Sequence, residues 1–522
     1  MEKGEQRNHV DRDECGPDRK KKSSCCQTDC RIQGHAPRLS QVNLFTLLSL
    51  WMEVFPQEQH EDNNNSQIQG VGLVVVRDNK VVGLHCSEAE LHAGQAAIIQ
   101  HGNHLENCQL YFSRRPCATC LKMIINAGVS RIFFWPGDPE ISMLKSNSSK
   151  RSQFHSQPVV ITEEAALDAV ATEMLKSNSC SHICVLLQPL TPGLAQFVQE
   201  TSRECDFMER VSEDQPCLDT VELFNKERRR HLGDFCEKFL VGSAQQHREI
   251  LTHMGLKNFC LEPYFYNLRH NMRELVELLA SVAAGVPQHH HGFYRGQCLA
   301  KEPSLANALL LPPCDGVSQK VAHHCIVQAR LLSYRTEDPK VGVGAVIWTR
   351  GRTAGSDGVG GLCLIGCGYN AYPAGSQYAE YPQMDDKQED RQKRKYRYII
   401  HAEQNALTFR ARDIRVGEPT LLFVTKCPCD ECIPLIRGAG ITHIYTTDQD
   451  KDKDKGDISY LRFSSLKGIK NFTWQRSPSL CSASSPHATN GCVGKHSLET
   501  ETENHSSKKQ CNGRSHTFPS VN

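Results

Sequence analysis

Two segments of this 522-residue chain carry the residue types for hydrolysis at a metal ion. The later one reads His401-Ala402-Glu403 and then, after 24 intervening residues, Pro428-Cys429-Asp430-Glu431-Cys432. One imidazole and two thiolates are three ligands for a zinc ion, and three ligands leave the fourth tetrahedral position to water. Bound zinc lowers the pKa of that water far enough to make a nucleophile near neutrality. Cysteines at i and i+3 fit the first turn of a helix, whose dipole favours thiolates. Glu403 is placed to face the water without ligating the metal, as a carrier of protons.

The earlier segment reads His92-Ala93-Gly94, then Pro116-Cys117-Ala118-Thr119-Cys120. His92, Cys117 and Cys120 offer the same three ligands to a second zinc. Gly94 stands where the carboxylate is needed and has no side chain to move a proton. Glu88 and Glu90 precede His92 and are not assumed to substitute for it. The pair of motifs therefore predicts one working centre and one zinc-bearing remnant that holds its fold together.

The same elements surround each motif. In the first half a helix is expected over 37–55, with Leu44, Leu47, Leu48, Trp51 and Val54 on one side. Strands are expected at Val71–Val76, Lys80–Leu84, Gln109–Phe112 and Ile132–Trp135, and helices at Gly94–Gln100 and after the cysteine pair. In the second half a helix carries Val321, Ile326, Ala329 and Leu332. Strands follow at Val343–Trp348, Leu362–Gly366, Leu421–Val424 and Ile444–Thr446, and helices start at His401 and at the second cysteine pair. Two units in one order indicate an internal duplication. Between them, 190–316 has helical spacing, as in Leu268, Met272, Leu275 and Leu279, and reads as a connector. Residues 142–157 read as a surface insertion. The expected domains are 37–189, 190–316 and 317–475, with disordered segments at 1–36 and 476–522.

Composition narrows the class. Lys+Arg number 60 and Asp+Glu 59, so net charge gives no footprint for nucleic acid or an anionic membrane. The most apolar stretch, Val42–Phe55, is too short and interrupted to span a bilayer. The first thirty residues have no secretory character, so the 25 cysteines are expected as free thiols or metal ligands rather than a disulfide framework. No second Cys-x-x-Cys lies in 317–475, which argues against a zinc ribbon. Cys427 is a third thiol nearby, expected as a packed residue.

H-x-E followed by P-C-x-x-C is the signature of zinc deaminases that act on nucleobases. Deamination of cytosine fits the parts: a water attacks C4, and protons must reach N3 and the departing amine. Residues 317–470 resemble the cytidine and deoxycytidylate deaminase family, and the deoxycytidylate branch in particular. The shared text includes Asp338-Pro339, Val343-Gly344-Ala345-Val346-Ile347, Gly368-Tyr369-Asn370, Pro373, Gly375, Lys395-Tyr396-Arg397-Tyr398 and Asn405. The resemblance implies two α/β/α domains with mixed five-stranded sheets, a catalytic Glu403, and a zinc held by His401, Cys429 and Cys432. It further implies that Asn370 contacts the sugar, that Gly344 and Ala345 line the base pocket, and that Tyr398 belongs to the substrate site. The expected substrate is a free cytosine nucleotide, with dCMP and dCTP equally admissible. A homo-oligomer and a cytoplasmic and nuclear location are expected with it. The alternatives are a polynucleotide cytidine deaminase, against which stands the lack of aromatic–basic stripes, and a non-catalytic zinc-stabilised binding protein.

The first copy lacks more than its carboxylate. Ser87 stands where the second copy has Asn370, and four residues separate Ser87 from His92 against thirty between Asn370 and His401. Other signals are weaker. Arg391, Lys393, Arg394, Lys395 and Arg397 could meet phosphate or direct nuclear import. Lys508-Lys509 with Arg514 is a second import candidate, and Leu275, Leu278, Leu279 and Val282 read as a packed helix face, with an export signal as the lesser alternative. His289-His290-His291 reads as a polar loop, and Gly355–Gly361 as a flexible hairpin connection rather than a phosphate loop.

Overall fold

The computed structural model describes residues 37–56, 70–88, 91–141, 159–295, 316–336, 338, 342–350, 361–373, 376, 381, 397–447 and 460–478. The 142–157 insertion, Glu90, Pro339, Gly375, the glycines before Gly361, the basic residues 391–395, Tyr396 and both termini (1–36 and 479–522, with Lys508, Lys509 and Arg514) lie outside these residues.

Hairpin chemistry starts each half. In the first, β1 (Gly72–Arg77) and β2 (Lys80–Cys86) join through Asp78 and Asn79, at φ 50 and 61. Both lie in the left-handed region that a tight hairpin turn demands and that Asp and Asn tolerate. β1 then pairs antiparallel with β3 (Gln109–Phe112). β4 (Arg131–Phe134) and β5 (His182–Cys184) continue in parallel. The sheet order is β2-β1-β3-β4-β5. α1 (Gln41–Glu53), α2 (Ala93–His101), α3 (Ala118–Asn126) and α4 (Val159–Ser177) accompany it.

The second half repeats that order as β8-β7-β9-β10-β11, from β7 (Gly344–Arg350), β8 (Leu362–Tyr369), β9 (Thr420–Val424), β10 (His443–Thr446) and β11 (Lys470–Arg476). Its helices are α10 (Gln319–Ser333), α11 (Ala402–Thr408), α12 (Cys432–Gly438) and the short α13 (Leu461–Ser464). Both five-strand frames are α/β with mixed sheets, and the second carries a sixth strand: β6 (His291–Arg295) adds antiparallel to β11.

That extra strand comes from the segment expected to be a helix-rich connector. Its helices are α5 (Leu194–Arg203), α6 (Asp206–Asp214), α7 (Thr220–Phe239), α8 (Ala244–His253) and α9 (Tyr264–Ala284). The polar-loop reading of the His triplet is corrected at His291, which opens β6, is buried, and lies 3.2 Å from Asp214 Oδ2. The leucine run forms the packed helix face and not the export alternative. Leu275, Leu278, Leu279 and Val282 are at most 2% exposed, because α9 carries them into the core against α5 and α7.

One continuous apolar cluster draws on α1, α9, α10 and strands of both sheets. α1 is expected to be amphipathic, but every residue from Asn43 to Glu53 is buried, since it lies between its own sheet and the helices α9 and α10. The Trp51 indole stacks on His324 of α10 at 4.5 Å and donates its N–H to the His324 carbonyl at 3.0 Å. The one acid of α1, Glu53, is satisfied in the core. It accepts from Arg114 Nε (3.1 Å) and Nη2 (2.7 Å) and from Ser113 Oγ (2.5 Å). This anchors the turn that leads into Cys117. Among the described residues, no helix is long and apolar enough to cross a membrane.

Candidate metal centres and active site

The second motif is built at the start of α11. His401 is the N-cap residue, and its backbone N–H donates to Gln404 Oε1 at 2.8 Å. The reciprocal capping fixes the direction in which the helix leaves the loop. His401 Nδ1 lies 3.2 Å from Cys432 Sγ and 3.3 Å from Cys429 Sγ. Cys429 precedes α12, and its carbonyl accepts from the N–H groups of Cys432 and Ile433, which closes the turn that brings the thiols together. These ligand atoms all lie within 4.8 Å of one another. Zn–N near 2.0–2.1 Å and Zn–S near 2.3 Å separate N and S by about 3.5 Å in a tetrahedron, so the set fits zinc. Its two thiolates and imidazole are the donors zinc prefers over harder ions. Among the described residues this cluster has three ligands. The Cys429 thiol is pulled down to about 4, chiefly by the hydrogen bond from the Cys432 thiol. Cys427 is buried in the surrounding core and is not one of the cluster.

Glu403, one residue inside α11, is 4% exposed. Burial pushes its carboxyl up to about 7, against the pull of the His401 imidazole. Strand β8 lets the helix come this close. A Cβ at Gly368 would collide with the Ala402 carbonyl oxygen and the Ala406 amide nitrogen, and one at Gly366 with the Ala406 carbonyl oxygen. Two glycines on one face of the strand let the backbone of α11 rest on the sheet. Asn405 Nδ2 adds a hydrogen bond to the Tyr369 carbonyl at 2.8 Å.

The other expected contacts divide. Asn370, at the end of β8, is buried, and its Oδ1 accepts from Val343 N (2.7 Å) and Thr336 Oγ1 (2.8 Å). Both lone pairs of that oxygen serve the fold, so the acceptor half of the expected sugar contact is spent. Gly344 packs closely against α10. The missing Cβ points at the Ala329 carbonyl of α10, its N–H donates to Thr425 Oγ1 at 3.1 Å, and its carbonyl accepts from Thr425 N at 3.1 Å. It is a close-packing position. Ala345, on the opposite face of the strand, joins the core cluster of Ala402, Cys429 and Cys432. Tyr398 continues a ladder: its ring lies 5.6 Å from Tyr381, which stacks on Tyr372 at 5.0 Å. Ala371 and Ile400 form an isolated antiparallel bridge beside this ladder's ends in sequence.

The first motif repeats the backbone and changes the chemistry. His92 caps α2, with its N–H on Gln95 Oε1 at 3.0 Å, and its Nδ1 lies 3.5 Å from Cys117 Sγ. A fourth group joins this cluster: Glu140, 1% exposed, with Oε1 2.9 Å from His92 Nδ1. A Cβ on Gly94 would lie 2.9 Å from Cys120 Cβ and 3.1 Å from its Sγ, so the proton carrier's position is closed to any side chain. His85 occupies the strand place of Gly368. It is buried, and its Nε2 lies 3.0 Å from His101 Nε2 of α2. Burial holds both imidazoles well below their usual range, hence neutral. The Glu140, His85 and His101 contributions escape a reading by motif spacing.

The model of the cytidine and deoxycytidylate deaminase zinc-binding region matches residues 47–135 and 318–447, one region around each centre. The zebrafish (Danio rerio) cytidine and dCMP deaminase domain-containing protein 1 is 54% identical over 448 residues, covering 85% of this chain and 92% of its own length. Human (Homo sapiens) deoxycytidylate deaminase is 31% identical over 138 residues, 26% of this chain and 70% of its own. The dCMP deaminase of cyanophage S-TIM5, solved with dCMP and dUMP, covers 30% of this chain and 98% of its own at 21% identity, with a TM-score of 0.22. The two matched regions and the full-length zebrafish relative show that this chain belongs to the cytidine and deoxycytidylate deaminase family, whose zinc-dependent hydrolysis the second centre is equipped to perform.

Proposed function

We propose that the second centre deaminates the cytosine of a free deoxycytidine nucleotide, dCMP or dCTP, and that the first centre is not catalytic. The observation that carries this is Glu403. It is a buried carboxylate one residue inside the helix that His401 caps, and the first copy has no room for its counterpart. His401, Cys429 and Cys432 would hold a zinc ion, which when bound would lower the pKa of a water toward neutrality. Glu403 would take one proton from that water as it attacks C4 and pass it to N3, then take the remaining proton of the hydroxyl added at C4 and pass it to the departing amine. Cytosine and water thus become uracil and ammonia with every proton accounted for. Ala345 and Ala402 keep the surroundings apolar, which strengthens each charge interaction at the site.

A small nucleotide is supported by the Gly368-Tyr369-Asn370 and Tyr398 elements shared with the family. Asn370 would offer the sugar its Nδ2, since its oxygen is committed to Val343 and Thr336. The likeness to deoxycytidylate deaminases points to the same class of substrate. The test is incubation of the purified full chain with cytidine, dCMP, dCTP and a single-stranded cytosine-containing oligonucleotide, with chromatography of the products. Uracil nucleotide from dCMP or dCTP is the expected result. Turnover of the oligonucleotide alone would move the chain to the polynucleotide class.

A further inference from the structure

We infer that the first centre is a closed zinc site in which Glu140 is the fourth ligand, so that it has no position for water. Three observations place the carboxylate there. First, Glu140 is 1% exposed and, among the described residues, its Oε1 meets no polar group but the His92 ring, 2.9 Å from the nitrogen that also faces Cys117. A buried anionic oxygen without a donor is costly unless a cation meets it.

Second, the carboxylate is held in place by its other end. Oε2 accepts from the Cys117 N–H at 2.9 Å, and the Glu140 N–H donates to the Arg115 carbonyl at 2.9 Å. The side chain is thus tied to the turn that carries the first thiol. The next amide, Ala118 N–H, goes to Asp168 Oδ1 at 2.9 Å. Hydrogen bonds of this kind orient metal ligands and raise affinity. Third, the donor atoms of His92, Cys117, Cys120 and Glu140 all lie within 4.8 Å of one another. Four ligands close a zinc site, whereas catalytic sites keep one position open.

Glu140 lies past the matched region 47–135, in the turn that follows β4. The carboxylate of the first centre has thus changed role. It no longer stands after the histidine, where it could move protons, but arrives from another turn as a ligand. The filled position 94 and the fourth ligand make the same statement about the centre from two sides.

The test uses the full chain with Cys429→Ser and Cys432→Ser, loaded with cobalt so that the first centre alone gives a visible spectrum. Azide, a small anion that binds cobalt at an open position, is the probe. The account predicts no change in the bands with Glu140 intact. In the added Glu140→Ala variant azide shifts the bands, and a chelator removes the metal at least about tenfold faster. A shift by azide with Glu140 in place overturns the inference, as does an Glu140→Ala spectrum identical to its parent. Should Glu140→Ala fail to fold, the azide result on the intact centre still decides. No substrate enters the measurement, so its failure is distinct from failure of the deaminase reading.

Discussion

Replacing Glu403 by Gln is expected to cut turnover by about 100- to 10,000-fold while both metal centres keep their zinc. Glutamine keeps the size and the hydrogen-bonding reach of the side chain and removes its capacity to hold a proton. Because His401, Cys429 and Cys432 supply the donors, the metal should be unaffected by the exchange. Zinc content by plasma emission, melting temperature and product formation on one preparation separate these effects. Loss of zinc along with activity would make Glu403 a ligand and reverse its assignment. Unchanged turnover would leave the deamination without a proton carrier in this chain.

Replacing Gly368 by Ala is the second large effect, and it acts at a distance from any reacting atom. The added methyl group meets the Ala402 carbonyl and the Ala406 amide of α11, both backbone atoms that cannot turn aside. The helix must therefore lift from the sheet, and with it Glu403 and the capping His401. Overpacking of this kind costs about 1–3 kcal/mol. Displacing a catalytic group by about 1 Å costs on the order of 100-fold in rate. The expected result is a folded, zinc-loaded protein with turnover reduced by about that factor. Activity within about twofold of the parent would mean that the strand does not set the position of the helix.

Much of this was legible in the sequence, for a physical reason. The catalytic cluster depends on ligands at short spacing, His401 with Glu403 and Cys429 with Cys432, each held by one helix start whose geometry is local. The strands Gln109–Phe112 and Leu421–Val424 follow from apolar runs between turns, as do the helices after each motif. What stayed hidden depends on contacts between distant turns. Glu140 is a single acid after Pro136-Gly137-Asp138-Pro139, with 47 residues between it and His92, and no periodicity links the two. His85 reads as an ordinary strand residue until His101 of α2 is brought against it. β6 is five residues next to a histidine triplet, and it becomes a strand only because β11 offers a free edge. The approach of α10 to Gly344 is likewise a contact that its place inside a motif does not announce. Motif membership told which residues belong together and not which way each one points.

The two centres are built on one backbone plan and differ in where a carboxylate stands. At the second it stands beside the ligands, and at the first it stands among them. The claim that one of two metal centres does the chemistry has a direct test in stoichiometry. The full chain is titrated calorimetrically with a pyrimidin-2-one nucleotide, which has the ring of the substrate and no amine to expel, in the phosphorylated form that the enzyme turns over. Zinc is counted on the same sample. The account predicts two zinc ions and one analogue bound per chain, with binding abolished by His401→Ala and preserved in Glu140→Gln. Two analogues per chain, or one that survives His401→Ala, would contradict it.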